Sequence, residues 1–220
     1  MEIMEVPMFV SERMSRPVIT LTPETPVQDA LAMFKKDHIR RAPVVQDGKM
    51  IGIVSASDLL NASPSPVTSL SVWEMNYLIS KVTVKQVMNK KVISVEADTP
   101  IEEAARIMAD KKIGGLPVTR SGKLVGIITE TDLFKAFLEL MGARTKALRI
   151  TAEIEDKAGA LAKISKAVSD AGGNFVSFGQ FTGEDPSSKI LTFKVAGVKK
   201  EDIKKILGKF VKKFWDIRQS

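Results

Sequence analysis

Two short segments carry the residues best suited to chemistry. Gly52–Asp58, GIVSASD, and Gly126–Asp132, GIITETD, both read Gly, apolar, apolar, hydroxyl, x, hydroxyl, Asp. In each, an apolar run ends where a helical pattern begins. A helix N-terminus presents unpaired N–H groups and a partial positive charge, so a phosphate placed there is stabilised. The hydroxyls of Ser55 and Ser57, or of Thr129 and Thr131, add hydrogen-bonding capacity. Asp58 or Asp132 can accept from the two vicinal hydroxyls of a ribose. Such a set would hold a nucleotide without attacking it. The same residues also satisfy an [ST]-x-x-[DE] capping box, in which the carboxylate serves the helix alone. Spacing leaves both readings open.

The corners recur because the chain is duplicated. A shift of 74 positions lays residues 10–60 on 84–134 without a gap, and 16 of those 51 positions are identical. Each copy predicts strand, helix, strand, strand, helix. The first strands are PVITL and KVISV. Thr25-Pro26-x-Gln28 and Thr99-Pro100-x-Glu102 then read as capped helix starts, with Thr as the cap and Pro at the first helical position. Val27, Ala30, Leu31 and Phe34 follow at helical spacing, as do Ile101, Ala104, Ala105 and Met108. Beyond Pro43 and Pro117, two strands meet at Asp47-Gly48 and at Ser121-Gly122, both tight-turn pairs. The second helices begin within the opening motifs.

The repeated Pro, turn Gly and S/T-x-S/T-Asp resemble a CBS domain, and the gapless pair resembles a CBS tandem, the Bateman module, over about residues 8–137. The resemblance implies an α+β pseudo-twofold pair: one repeat over 8–61, a linker and inter-repeat helix over 62–81, and a second repeat over 82–140. It further implies that the pair binds an adenine nucleotide (AMP, ADP or ATP) or a related adenosyl compound as a regulatory ligand. The residues so implied are Ile19, Thr20, Arg40, Arg41, Ala42, Pro43, Ser55, Ser57 and Asp58, with Ile93, Ser94, Gly115, Leu116, Pro117, Thr129, Thr131 and Asp132. The copies differ before the proline. HIRRAP supplies Arg40 and Arg41, which suit phosphate, whereas KIGGLP supplies Gly114 and Gly115, which allow close backbone approach. Which cleft the arginines serve is not readable, and a solvated helix end explains them too. His38, the single histidine, reads as structural or surface.

Between the copies, SPSP reads as linker, and a helix is expected from Thr68 or Ser69 carrying Trp73, Met75, Tyr77, Leu78 and Ile79 as packing residues. PSPVTSLSVWEMNYL is similar to the inter-repeat segment of acetoin-utilisation proteins of the AcuB type.

The last third has another pattern. In KALRITAEIE, Leu148, Ile150, Ala152 and Ile154 alternate with polar residues, predicting a half-buried strand. Leu161, Ile164, Val168 and Ala171 mark a helix face that Gly172-Gly173 ends. NFVSFGQF and KILTFKVAG read as strands, Ile203, Ile206, Leu207, Phe210, Val211 and Phe214 as a closing helix, and FWDIRQ as a final strand. The order is βαββαβ, the ferredoxin-like arrangement. Asp156-Lys-Ala-Gly159-Ala-Leu161 resembles the D-x-P-G-x-L loop of an ACT domain, with Ala158 where Pro is usual, over 145–220. The resemblance implies side-by-side dimerisation and an amino acid held at Asp156, Ala158, Gly159, Ala160, Leu161 and Asn174. A dimerisation module without ligand fits the same residues.

Charge and composition narrow the function classes. Residues 145–220 hold 15 Lys/Arg against 9 Asp/Glu, so nearly all of the net +7 sits there. Lys199, Lys200, Lys204, Lys205, Lys209, Lys212 and Lys213 read as the solvated side of the closing helix. A DNA-binding regulator using that helix is the alternative, though no recognition motif accompanies it. A structural dimer with degenerate corners is another. Cysteine is absent and no Walker loop is present, which argues against an enzyme, and no metal or required cofactor is expected. No apolar run approaches the ~20 residues of a membrane span and no export signal is read. The expectation is a cytoplasmic, homodimeric, non-enzymatic sensor whose output passes through a partner protein.

Overall fold

The computed structural model describes residues 8–62, 81–183 and 185–220. The expected inter-repeat helix and most of its linker lie outside these residues. The chain divides into two compact units, one ending at Leu133 and one beginning at Phe134. Among the described residues, no helix is long and apolar enough to cross a membrane.

The first unit contains both repeats. Each builds a two-stranded antiparallel hairpin, β1 (Arg41–Gln46) with β2 (Lys49–Ser55), and β4 (Gly115–Arg120) with β5 (Lys123–Thr129). The turns are Asp47-Gly48 and Ser121-Gly122, with all four φ angles between +51° and +76°. Paired positive φ values match the twist of the flanking strands, as the sequence predicts. Helices α2 (Val27–Lys36) and α5 (Ile101–Lys111) bury Val27, Ala30 and Phe34 in one repeat and Ile101, Ala104 and Met108 in the other. Helices α3 (Ala56–Asn61) and α6 (Glu130–Leu140) leave the corners.

Three local expectations are corrected. The helix caps of α2 and α5 are Pro26 and Pro100, in extended conformation and without a side-chain cap bond. Thr25 instead offers its hydroxyl oxygen to the Thr22 amide at 3.2 Å, so no capping box forms. The first strand of each repeat is shorter than predicted. PVITL contributes one parallel bridge, Leu21 to Val44, and KVISV contributes β3 (Val95–Glu96), paired with Val118 and Thr119 of β4. Pro17 has no N–H to give a ladder, and the residues before Leu21 and Val95 run extended and largely exposed.

The repeats are interlocked by exchange of their opening turns. Helix α1 (Val10–Arg13) belongs in sequence to the first copy, yet Val10 N donates to Thr99 O and Ser15 N to Ile127 O, both at 2.9 Å. Helix α4 (Val84–Val87) does the reverse: Val84 N donates to Thr25 O at 2.9 Å and Asn89 N to Ile53 O at 2.8 Å. From the first set to the second, each donor moves forward by 74 positions and each acceptor back by 74. Val84 is fully buried in the first repeat's core, with Val87 and Met88 packed against it. The first residue of each corner motif explains itself here. A Cβ on Gly52 would lie 2.6 Å from Met88 Sδ, and one on Gly126 would lie 2.1 Å from Met14 Sδ. A side chain at either position would require the visiting methionine to shift.

The second unit is the βαββαβ arrangement that the pattern predicts. β6 (Leu148–Glu155), β7 (Asn174–Thr182), β8 (Ser188–Ala196) and β9 (Lys213–Gln219) form an antiparallel sheet in the order β7-β8-β6-β9. α7 (Ala160–Asp170) and α8 (Lys200–Leu207) bury Ile164, Val168, Ile203 and Leu207 against Leu148, Ile150, Ala152 and Ile154. α8 is shorter than predicted. It stops at Gly208, whose hypothetical Cβ would meet Lys204 O at 2.6 Å. Phe214 is therefore a strand residue opposite Ala152, and Lys209, Lys212 and Lys213 lie beyond the helix, with Lys199 as its N-cap. Leu161 and Ala171 are exposed, not core.

Candidate functional site

The corner at Ser55 is both a cap and part of a cavity. Asp58 Oδ2 accepts from Ser55 N at 2.8 Å and from Ser55 Oγ at 2.6 Å, while Asp58 N donates to Ser55 Oγ at 3.3 Å. That is a complete capping box. Ser57 Oγ lies 2.8 Å from Ser55 Oγ. The corner at Thr129 repeats the geometry, with Asp132 Oδ2 accepting from Thr129 N at 2.9 Å and from Thr129 Oγ1 at 2.7 Å. A full box forms at Ser55, and at Thr129 the Asp132 carboxylate takes the amide at the helix start. The box does not use up the first carboxylate, since the Asp58 bonds all converge on Oδ2.

The first corner opens onto a cleft between the repeats. A cavity of about 330 Å³ is lined by Ser55, Ser57, Asp58, Ile53 and Arg41 of one copy and by Asn89, Lys91, Ile93, Lys112, Ile113, Gly114 and Gly115 of the other. Arg41, Ser55, Ser57, Asp58, Ile93 and Gly115 were expected at a site and are brought together. The two arginines lie at different corners. Arg41 lines the first corner's cleft, whereas Arg40 Nη2 donates to Thr131 Oγ1 at 3.4 Å, at the second corner. Gly114 makes room for this parting: a Cβ there would stand 2.4 Å from Arg41 Nη2 and 2.8 Å from Glu130 Oε2. Burial lowers the Arg41 pKa below the ordinary guanidinium value and Arg40 adds to this, while Glu130 and Asp58 oppose it.

Other expected residues stand elsewhere. Ala42, Pro43, Leu116 and Pro117 are buried in the hairpin strands and do not line the cleft. Ser94 is exposed outside its lining. Ile19 and Thr20, the 74-shift counterparts of Ile93 and Ser94, are likewise exposed. His38 takes a left-handed φ of +53° two residues past the end of α2, and Lys112 takes the same φ directly after α5. His38 is a helix-end residue. Sequence reasoning missed Asn89, Lys91 and Lys112. Their counterparts in the other copy are Ser15, Pro17 and His38, so the repeat carries no signal for them.

The second unit holds a separate depression of about 400 Å³ at the end of β6, lined by Asp156, Ala158, Gly159, Ala160 and Leu161 among others. Gly159 has φ +79° with open space where a Cβ would point, and it is the N-cap of α7. Two further lining residues were not foreseen, Gln180 and Lys189. Lys189 Nζ pairs with Asp156 Oδ2 at 3.2 Å. Asn174 is not part of this group. It sits opposite Ala196, whereas the loop follows Glu155, which is opposite Ser188. Eight strand residues at about 3.3 Å each separate the two ends by ~26 Å.

Comparison with known proteins follows the first unit. The CBS-domain family signature matches residues 10–65 and 84–139, together half of the chain. An uncharacterised protein of Methanocaldococcus jannaschii is 31% identical over 155 residues, spanning 60% of this chain and 92% of its own. Among solved structures, an acetoin utilization protein (AcuB) from Vibrio cholerae, described there as putative, is 32% identical with TM-score 0.52, covering 62% of this chain and 94% of that one. The CBS domain pair of protein MJ0100, solved with 5′-methylthioadenosine and S-adenosyl-L-methionine, is 27% identical with TM-score 0.50, covering 62% and 98%. The duplicated, interlocked unit with its paired corners makes this chain a member of the CBS-domain family.

Proposed function

We propose that the chain is a non-enzymatic ligand sensor whose CBS pair binds an adenine nucleotide or related adenosyl compound in the cleft between the repeats. The observation that carries this reading is the cleft itself, where Ser55, Ser57 and Asp58 face Ile93, Gly114 and Gly115 across the repeat boundary. Ile93 is 39% exposed and offers an apolar wall to a base. The serine hydroxyls and the start of α3 suit a phosphate, and the outer oxygen of Asp58 suits a ribose. The adenosyl ligands of the MJ0100 pair support the ligand class. Regulation follows only if the ligand binds two conformations of the chain unequally, and the output passes to a partner protein.

In the same proposal the second unit is an ACT-type module that pairs copies and holds an amino acid. β7 is an edge strand, with Phe178 and Phe181 exposed. An antiparallel pairing of two β7 strands centred near Phe178 would carry Asn174 of a second copy opposite Thr182, beside the Gly159 loop. That supports grouping Asn174 with the loop in a dimer although the two are far apart in one chain. The amide groups at Gly159 and the Lys189 ammonium suit a carboxylate.

Calorimetric titration with AMP, ADP, ATP, NAD and S-adenosylmethionine, on wild type, Asp58→Ala and Asp132→Ala, tests the first part. Binding that an Asp substitution abolishes supports it. No binding by any of the five, with variants that only melt earlier, reduces the corners to helix caps. Sedimentation with and without an amino-acid panel tests the second part.

A further inference from the structure

The two clefts that the duplication creates are not equivalent in charge, and the difference names a ligand. The cleft at Ser55 is lined by Arg41, Lys91 and Lys112, with Asp58 as its one carboxylate. Under the 74-residue shift, Lys91 and Lys112 become Pro17 and His38 on the other side. The second corner receives Arg40, whose guanidinium reaches Thr131. The first cleft therefore concentrates three cations around a cavity of about 330 Å³, and neither lysine has a lysine or arginine as its counterpart. Asp58 is already tied to Ser55 by two short bonds. Glu130 lies near Arg41, close to where a Cβ on Gly114 would stand, but is not in the lining. Lys91 and Lys112 are both exposed, so neither is held back in the core from a ligand.

We infer that the cleft of Ser55, Ser57 and Asp58 is the high-affinity site and that it selects adenosine bearing a phosphate chain, with Lys91 and Lys112 reading the phosphates beyond the first. The inference rests on the adenosyl-ligand reading above and deepens it. One arginine and the two serine hydroxyls suffice for a single phosphate. Two further ammonium groups add attraction only where more negative charge is present. A sulfonium compound of the S-adenosylmethionine kind brings positive charge into the same cleft and loses that attraction. Because the lysines are solvent-exposed, their effect is screened by salt.

The test is calorimetric titration of the full chain with adenosine, ADP and S-adenosylmethionine at low and high salt, on wild type and on Lys91→Ala/Lys112→Ala. Both substitutions are at exposed positions, and a melt confirms folding. The expected result is ADP binding at least about tenfold tighter than adenosine, equivalent to about 1.4 kcal/mol, with a ratio that narrows in salt and in the double variant. Adenosine or S-adenosylmethionine binding as tightly as ADP overturns the inference and leaves the adenosyl reading standing. An undiminished ADP preference in the double variant also overturns it. Failure of all three compounds to bind overturns both.

Discussion

Asp58→Ala separates what the corner does for the fold from what it does for a ligand. The substitution removes the acceptor of two hydrogen bonds, from Ser55 N at 2.8 Å and Ser55 Oγ at 2.6 Å. The hydroxyl can rotate to solvent or to Ser57. The amide, in a half-buried corner, is left without its partner. Losing a cap of this kind costs about 0.5–2 kcal/mol, and a part-buried orphaned donor about 1–3 kcal/mol. The two descriptions overlap, so about 1–2 kcal/mol is the expected loss, not their sum. For a unit of this size that is a fall of roughly 3–8 °C in Tm. Asp58→Asn keeps an oxygen for the amide and loses only the charge near the helix start, about 0.3–1 kcal/mol. Scanning calorimetry, paired with ADP titration, reads both. The reasoning requires Asp58→Asn to retain most of the stability and yet weaken the ligand. If Asp58→Ala melts with the wild type, the capping account is wrong. If Asp58→Asn binds ADP at full strength, the carboxylate is not a ribose ligand.

Three further perturbations probe other levels of the structure. Gly126→Ala places a methyl 2.1 Å from Met14 Sδ and should destabilise the first unit by about 1–3 kcal/mol; a Met14→Ala change should recover part of that loss, and strict additivity in the double-mutant cycle would contradict the exchange of opening turns. Lys194 is only 6% exposed and its Nζ donates to Gly142 O at 2.9 Å and Thr145 O at 3.1 Å, so Lys194→Ala should lower the stability of the second unit by about 2–3 kcal/mol, seen as an earlier denaturant midpoint. The hydrogen bond from Arg106 holds the Glu103 carboxyl below its ordinary range. Its contribution is then present above the unfolded pKa and lost as pH falls through the folded one. The Tm gap between wild type and Glu103→Gln, small at about pH 7, should shrink as pH falls below the ordinary carboxylate range.

Local signals were legible and relational ones were not. The Asp47-Gly48 and Ser121-Gly122 turns follow from two-residue chemistry, and they form as read. The alternation in β6 is a property of eight consecutive residues, and its burial alternates accordingly. The end of α8 was misread because Phe210, Val211 and Phe214 continue an apolar pattern that a strand can also use. The helix ends with Gly208 as its C-cap, and the apolar residues beyond it continue into β9. The exchange of α1 and α4 is invisible because each turn is an ordinary amphipathic fragment whose partners lie between 36 and 112 residues away along the chain. The glycines opening both motifs have no role assigned by the sequence pattern, and what they accommodate is a methionine from the other opening turn. At the site, identical motif positions were easy to find. The residues that distinguish the clefts, Lys91, Lys112, Arg40 and Arg41, are by their nature those that the repeat does not share. Asn174 shows the remaining limit, since a family pattern groups residues that a single chain keeps apart.

The central claim is that ligand occupies the cleft between the repeats, and residue-resolved amide shifts test it most directly. On titrating the ¹⁵N-labelled chain with ADP, the largest shifts should fall on Ser55–Asp58 and on Ile113–Gly115, saturating together with one affinity. Shifts confined to residues 145–220, or none at all, would contradict the account.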